Sequence, residues 1–276
     1  MTSLKMNLSQ IKESVLKEIK QRTNYEYVEV LNRANSAILL SLSVLGQKVF
    51  YPEEGGWMTY HKYAKNLGKE VVSIKCHDAR IDLNDLKNRL EEKCVFIYHP
   101  LGGYFAEQDI EQIYKICKEK NCLVIMDVSG TIGTRLCDGK YADICLGSFG
   151  DWKLIDYGQG GFISFQNPKL FNHFKPLFSA MTFRGDYEKL LHHFNILDGR
   201  IKFLLDKRTE IINDLKEFEI IGKDNELGFV VIVVPKSETD RLKIVAYCTK
   251  NNLEYTMCPR EIRINRDAVS IELKRL

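Results

Sequence analysis

Residues 94–127, "CVFIYHPLGGYFAEQDIEQIYKICKEKNCLVIMD", decide the fold. The runs at 94–99 and 122–127 are apolar and β-rich, and the stretch 106–121 between them has a helical pattern. Two strands joined by a crossover helix make parallel neighbours, because a tight hairpin cannot return a strand to the same direction. The runs are continuous rather than alternating, as expected of strands covered on both faces.

The same grammar extends in both directions. Leu8, Ile11, Val15 and Ile19 recur at helical spacing. "NSAILLSLSVLG" reads as a buried helix with Asn35 as its N-cap and Gly46 just past its end. "KVFYP" is a strand, "MTYHKYAKNLG" a helix stopped by Gly68, "EVVSIK" a strand, and "DLNDLKNRLEEK" a helix opening on Asp82. "DICLGSF" and "GGFISF" follow as strands with no helix between them, so one of the two is expected to run antiparallel. The expected class is α/β: a mainly parallel sheet with helices on both faces over residues 1–170. Beyond it the pattern changes to a long helical region at about 186–218, "FVVIVV", a helix in "TDRLKIVAYCTKNN", and short strands near 262–264 and 269–273. This predicts a small α+β domain over 171–276.

The chain has 276 residues, 45% hydrophobic and 28% charged, enough for a substantial core. Its 40 basic and 37 acidic residues leave a formal charge of +3, which offers no electrostatic case for nucleic acid. Eight cysteines occur without a C-x-x-C, several inside apolar runs, the usage of free thiols in a reducing cytoplasm. The N-terminal "MTSLKMNLSQIKESVLKEIK" reads as a charged amphipathic helix rather than a signal peptide. No run of about 18 apolar residues spans a membrane. Phosphate-loop, dinucleotide-fold, zinc and G-x-S-x-G signatures are all missing, and no metal is expected.

In sheets of this kind ligands sit at the carboxyl ends of the strands. Asn35 and Ser36 fall there at a helix start; Trp57 follows "KVFYP"; His99 and Asp127 end strands; Ser148 and Lys153 lie in "SFGDWKLIDYGQGG", residues 148–161. A helix start suits a phosphate. An aromatic plane covers a heteroaromatic ring, and a strand-end carboxylate holds a pyridinium nitrogen protonated. A loop lysine can form a Schiff base with an aldehyde. Together they describe a site for pyridoxal 5'-phosphate.

From about Tyr27 to Phe165 the chain resembles the fold-type I pyridoxal-phosphate enzymes, the aspartate aminotransferase superfamily. Its motifs are most similar to the DegT/DnrJ/EryC1 branch of sugar aminotransferases. "NRANSAILLSL" resembles the branch's phosphate-binding helix start, and "YHPLGGYFAEQDIEQIYKICKEKNCLVIMD" its run ending at the pyridinium aspartate. "ADICLGSFGDWKLIDYGQGGFISF" is similar to its G-D-x-x-x-x-S-F-x-x-x-K-x-x-x-x-G-E-G-G and is the most specific match. The resemblance implies that Lys153 is the Schiff-base lysine, Asp127 the pyridinium partner and Trp57 the ring-stacking residue. It implies that Ser36 and Ser148 contact the phosphate, with Asn35 and Ala37 beside Ser36, and that His99 lies near the cofactor's phenolic oxygen. It also implies a homodimer. Departures stand at Ala37-Ile38 for the branch's Gly-Thr, at Gly130 for its histidine or glutamine, and at Gly150-Asp151 for its His-Pro. Arg263, in an expected short strand, is the first candidate for a substrate anion, followed by Arg260 and Arg184. The implied activity is an aminotransferase acting on an amino sugar or small amino compound. Alternatives are a non-catalytic regulatory subunit or a lyase or desulfurase, for which Cys258 would be the loop cysteine.

Overall fold

A computed structural model describes residues 7–276; the first six residues of the expected N-terminal helix lie outside it. The helix α1 spans Leu8–Thr23, and Asn7 caps it by accepting from the Gln10 N–H. Strand β1, Tyr27–Leu31, follows. The sequence reading names no element there, because Glu29 interrupts the apolar run. Helix α2 spans Ala34–Val44, strand β2 Lys48–Pro52, helix α3 Thr59–Asn66 and strand β3 Glu70–Ile74. Gly68 ends α3 at φ +71°, a left-handed position that suits glycine. A two-residue ladder, Cys76–His77 (β4) with Arg80–Ile81 (β5), leads to α4, Leu83–Arg89, whose N-cap is the expected Asp82.

Strand β6 is Val95–Tyr98. A second small ladder joins Leu101–Gly102 (β7) to Ala106–Glu107 (β8). Helix α5, Ile110–Glu119, then returns the chain to β9, Leu123–Asp127. β10, Ile144–Ser148, and β11, Gly161–Phe165, complete a seven-stranded sheet of order β1-β11-β10-β9-β6-β2-β3. β11 is antiparallel to both β10 and β1, while the pairings from β10 to β3 are parallel. The missing crossover helix before β11 has the consequence expected of it.

Alternate residues of the central strands feed two separate cores. Val95, Ile97, Ile125, Ile144 and Leu146 pack with Ala37, Ile38 and Tyr60 from α2 and α3. Phe96, Tyr98, Val124 and Met126 pack with Val15, Ile113 and Cys117 from α1 and α5. Both faces are therefore covered, which is why β6 and β11 are buried at every position.

Helices α6 (Pro168–Phe174), α7 (Tyr187–Asn195) and α8 (Leu197–Asp214) follow. A four-stranded antiparallel sheet then forms in the order β12-β13-β15-β14: Glu219–Ile221, Val231–Val234, Ala268–Ile271 and Tyr255–Cys258. Helix α9, Glu238–Lys250, packs on it. The expected strand at 262–264 is not one. That segment is a turn, with the Arg263 N–H donating to the Arg260 carbonyl, and the strand lies earlier, at 255–258. Ile264 is buried in the core without pairing in the sheet, while Ile262 is half-buried and lines the pocket described below.

Candidate active site

Strands β2, β6, β9 and β10 all end at one edge of the parallel sheet, and a single pocket opens there. It is lined by Asn35, Trp57, His99, Asp127, Ser148 and Lys153, six of the residues picked out from sequence. Arg33, Tyr104, Ser129 and Gln159 also line it.

Lys153 is presented by a tied loop. The Phe149 N–H donates to the Gly160 carbonyl, and the Tyr157 N–H to the Phe149 carbonyl. Trp152 holds φ +60°, and its N–H donates to Asp156 Oδ1 at 2.9 Å. The half-buried Lys153 turns inward so that Nζ lies 5.1 Å from the ring centres of both Trp57 and Tyr104. Nζ is also 2.7 Å from the Tyr104 hydroxyl. A cation between two aromatic faces is held by their quadrupoles without an ion pair.

Asp127 ends β9 on the α3 side of the sheet, where Tyr60, wholly buried, donates its hydroxyl to Oδ2 at 2.7 Å. Oδ1 accepts from the Ser129 N–H at 3.0 Å and the Ser129 hydroxyl at 2.6 Å. Three donors fix the plane of a carboxylate that is only 4% exposed. His99 accepts at Nδ1 from the Leu101 N–H at 3.1 Å. Its Nε2 is buried without a partner among the described residues. Burial holds His99 down at about 4, so the imidazole is neutral at pH 7 and its proton sits on Nε2. That leaves an unused buried donor on a pocket-lining residue.

The start of α2 closes the other end. Gly161 permits this, since a Cβ there would lie 2.5 Å from the Ala34 nitrogen and 2.7 Å from the Gly147 carbonyl oxygen. The N-cap is consequently Arg33, in extended conformation and with no side-chain cap, not Asn35. Asn35 is the second helical residue, and its Oδ1 accepts from Trp57 Nε1 at 3.0 Å and from the Thr59 hydroxyl at 3.2 Å. It thereby fixes the indole. The first turn without a side-chain cap, the exposed Arg33 and the Ser148 hydroxyl, which accepts from the Gly150 N–H at 3.1 Å, converge on the pocket.

Other candidates lie elsewhere. Ser36 does not line the pocket; its hydroxyl donates to Asn32 Oδ1 at 2.6 Å, and Ala37 is buried in the core behind it. Arg184 and Arg260 are exposed outside the pocket. Arg263 is 2% exposed and committed to Glu272 at 2.6 Å, so its guanidinium is already neutralised. Cys258 is buried in β14, its thiol pushed up by burial, which is not the setting of a mobile reactive loop cysteine. Sequence reasoning missed Tyr104, Tyr60 and Ser129. Only Ser129, two residues after the strand-end aspartate, carried a local signal.

A family profile described as the DegT/DnrJ/EryC1/StrS aminotransferase family matches residues 12–196, from α1 to just past α7. An aspartate aminotransferase of Sulfolobus acidocaldarius is 27% identical over 123 residues, an alignment covering 39% of this chain and 30% of that protein. The chain therefore matches less than a third of the length of that relative. Among solved structures, 3-amino-5-hydroxybenzoic acid synthase superposes with a TM-score of 0.75 at 16% identity, covering 96% of this chain and 85% of the other. A protein described as a sugar aminotransferase from Streptococcus pneumoniae gives 0.71 at 14% identity, with coverages of 96% and 85%. Serine palmitoyltransferase from S. paucimobilis gives 0.72 at 14%, with 95% and 71%. These structural likenesses establish the shared fold. With a profile that covers well over half of its length, the chain belongs to the DegT/DnrJ/EryC1/StrS aminotransferase family.

Proposed function

We propose that the protein is a pyridoxal 5'-phosphate-dependent aminotransferase acting on an amino sugar or a small amino compound. The observation that carries this reading is that Lys153, the carboxylate of Asp127 and the ring of Trp57 line one pocket with an uncapped helix start. The unpartnered His99 Nε2 further suits a cofactor with an oxygen acceptor. When bound, pyridoxal phosphate supplies an aldehyde that condenses with amines and a ring that accepts the electron pair released at the substrate carbon.

The chain's own residues divide the remaining work. Lys153 would hold the cofactor through its amine, and Nζ would be the base that takes the α-proton of a bound substrate. Asp127, oriented by Tyr60 and Ser129, holds a proton on the ring nitrogen. Trp57, fixed by Asn35, covers the ring face. His99 would offer its Nε2 proton to the cofactor's ring oxygen. Arg33, the first turn of α2 and Ser148 bind the phosphate.

The sugar aminotransferase among the structural relatives supports the substrate class. Eight cysteines without a disulfide support a cytoplasmic location. Membership of this family supports a homodimer. Purified protein mixed with pyridoxal phosphate should develop visible absorbance that vanishes on borohydride reduction, which leaves the cofactor bonded to Lys153, and that Lys153→Ala abolishes. Amino donors should then convert it to the pyridoxamine form. A protein that stays colourless refutes the reading, and one that colours but converts with no donor is a silent binder.

A further inference from the structure

Tyr104 has features that the roles assigned so far leave unexplained. It is a non-glycine residue at φ +69°, a conformation that β-carbon sterics disfavour and that persists only where the surroundings over-determine it. Both its backbone groups are pinned: its N–H donates to the Leu101 carbonyl at 2.8 Å, and its carbonyl accepts from the Phe229 N–H at 2.8 Å. The ring is 7% exposed and packs at 4.8 Å, centre to centre, against His99. It also fills the space above Gly130, where a Cβ would lie 2.5 Å from Tyr104 Cε1 and 2.9 Å from His99 Cε1. Arg263 and Lys274 stand 5.4 and 5.3 Å from the ring centre, both paired with Glu272, and the hydroxyl meets Lys153 Nζ at 2.7 Å.

We propose that Tyr104 is the positioning residue of Lys153, and that the bare backbone at Gly130 is what gives its ring room to do so. The inference rests on Lys153 being the reactive amine. A phenol suits the task because its oxygen accepts from an ammonium and its O–H donates to a neutral amine. The same contact therefore holds Nζ before and after it takes the proton from the substrate carbon. The proton travels from that carbon to Nζ, and Tyr104 only steadies the acceptor. The positive-φ backbone and the pinned amide groups fix the ring where its hydroxyl meets Nζ.

The test uses the cofactor-free protein, so it does not depend on turnover. Reductive methylation with formaldehyde and cyanoborohydride, followed by peptide mapping, reads the reactivity of each lysine. Tyr104→Phe keeps the ring and removes only the hydroxyl. Lys153 should then react about tenfold faster, as expected on loss of a hydrogen bond to a charged group, with other lysines unchanged. Gly130→Ala, which must displace the ring, should give the same increase, and the double variant no more than either single change. Unchanged Lys153 reactivity in Tyr104→Phe overturns the proposal, as does a general rise at many lysines. If Gly130→Ala fails to fold, the Tyr104→Phe arm decides alone. In cofactor-loaded protein, Tyr104→Phe should lower kcat with KM for the donor unchanged. Failure of native protein to bind pyridoxal phosphate refutes the functional reading, whereas binding with normal Lys153 reactivity in Tyr104→Phe refutes only this inference.

Discussion

Replacing Glu272 by Gln should destabilise the protein by about 3 kcal/mol at neutral pH, and the structure gives the size. Glu272 is 2% exposed and sits between Arg263 at 2.6 Å and Lys274 at 3.3 Å. Ser270 and Thr256 each donate a hydroxyl to its Oε1 at 3.0 Å. Burial alone would raise the carboxyl, but Arg263 and Lys274 outweigh it and hold it at about 2 against an ordinary 4.5. That gap of about 2.5 units corresponds to ~3 kcal/mol of folding free energy. Because the folded value is the lower one, the stabilisation is present above pH 4.5 and is lost as pH falls from there to about 2. Glutamine keeps the shape but leaves two cations uncompensated, a loss of the size that breaking buried pairs costs. Urea unfolding followed by circular dichroism should show the full deficit at pH 7. The gap between wild type and Glu272→Gln should close as pH falls from 4.5 towards 2. Arg263→Met/Glu272→Gln should recover part of the loss, since one stranded charge goes with it. A Glu272→Gln protein within 0.5 kcal/mol of wild type at pH 7, the scatter of ordinary surface changes, would refute the argument.

Three further outcomes follow from the site. Burial holds His99 at about 4 against an ordinary 6.5, so wild type should lose ~3 kcal/mol as pH falls from 6.5 to 4; acid unfolding of His99→Asn should lack that loss. Arg33→Ala should weaken pyridoxal phosphate binding about tenfold while leaving phosphate-free pyridoxal unaffected, since a charge-assisted contact is removed at the helix start; equilibrium dialysis with both ligands checks it. Gly161→Ala should destabilise by about 1–3 kcal/mol, because its Cβ must push Ala34 and the helix start off the sheet; a thermal melt at unchanged Tm would contradict this.

Most strands of the seven-stranded sheet and their order along the chain were legible without coordinates, because continuous apolar runs and helical spacing are local signals. Asp127, Lys153, Trp57, His99 and Ser148, picked out as residues that follow apolar runs, all line the one pocket. β1 was missed because a half-buried charge at Glu29 broke the run. The start of α2 was placed too late because it depends on Gly161, 127 residues further along the chain than Ala34. Arg263 looked like a free cation in a strand; it is a turn residue tied to Glu272.

The sequence by itself determined a sheet with both faces covered and brought Lys153 and Asp127 to the pocket at its carboxyl edge, since each follows from near neighbours in the chain. Only the tertiary structure decided which cations are already spent, that Asn35 steadies Trp57, and that Tyr104 fills the space above Gly130 to reach Lys153. Those are contacts between segments distant in sequence, and their geometry exists only once the chain has closed on itself.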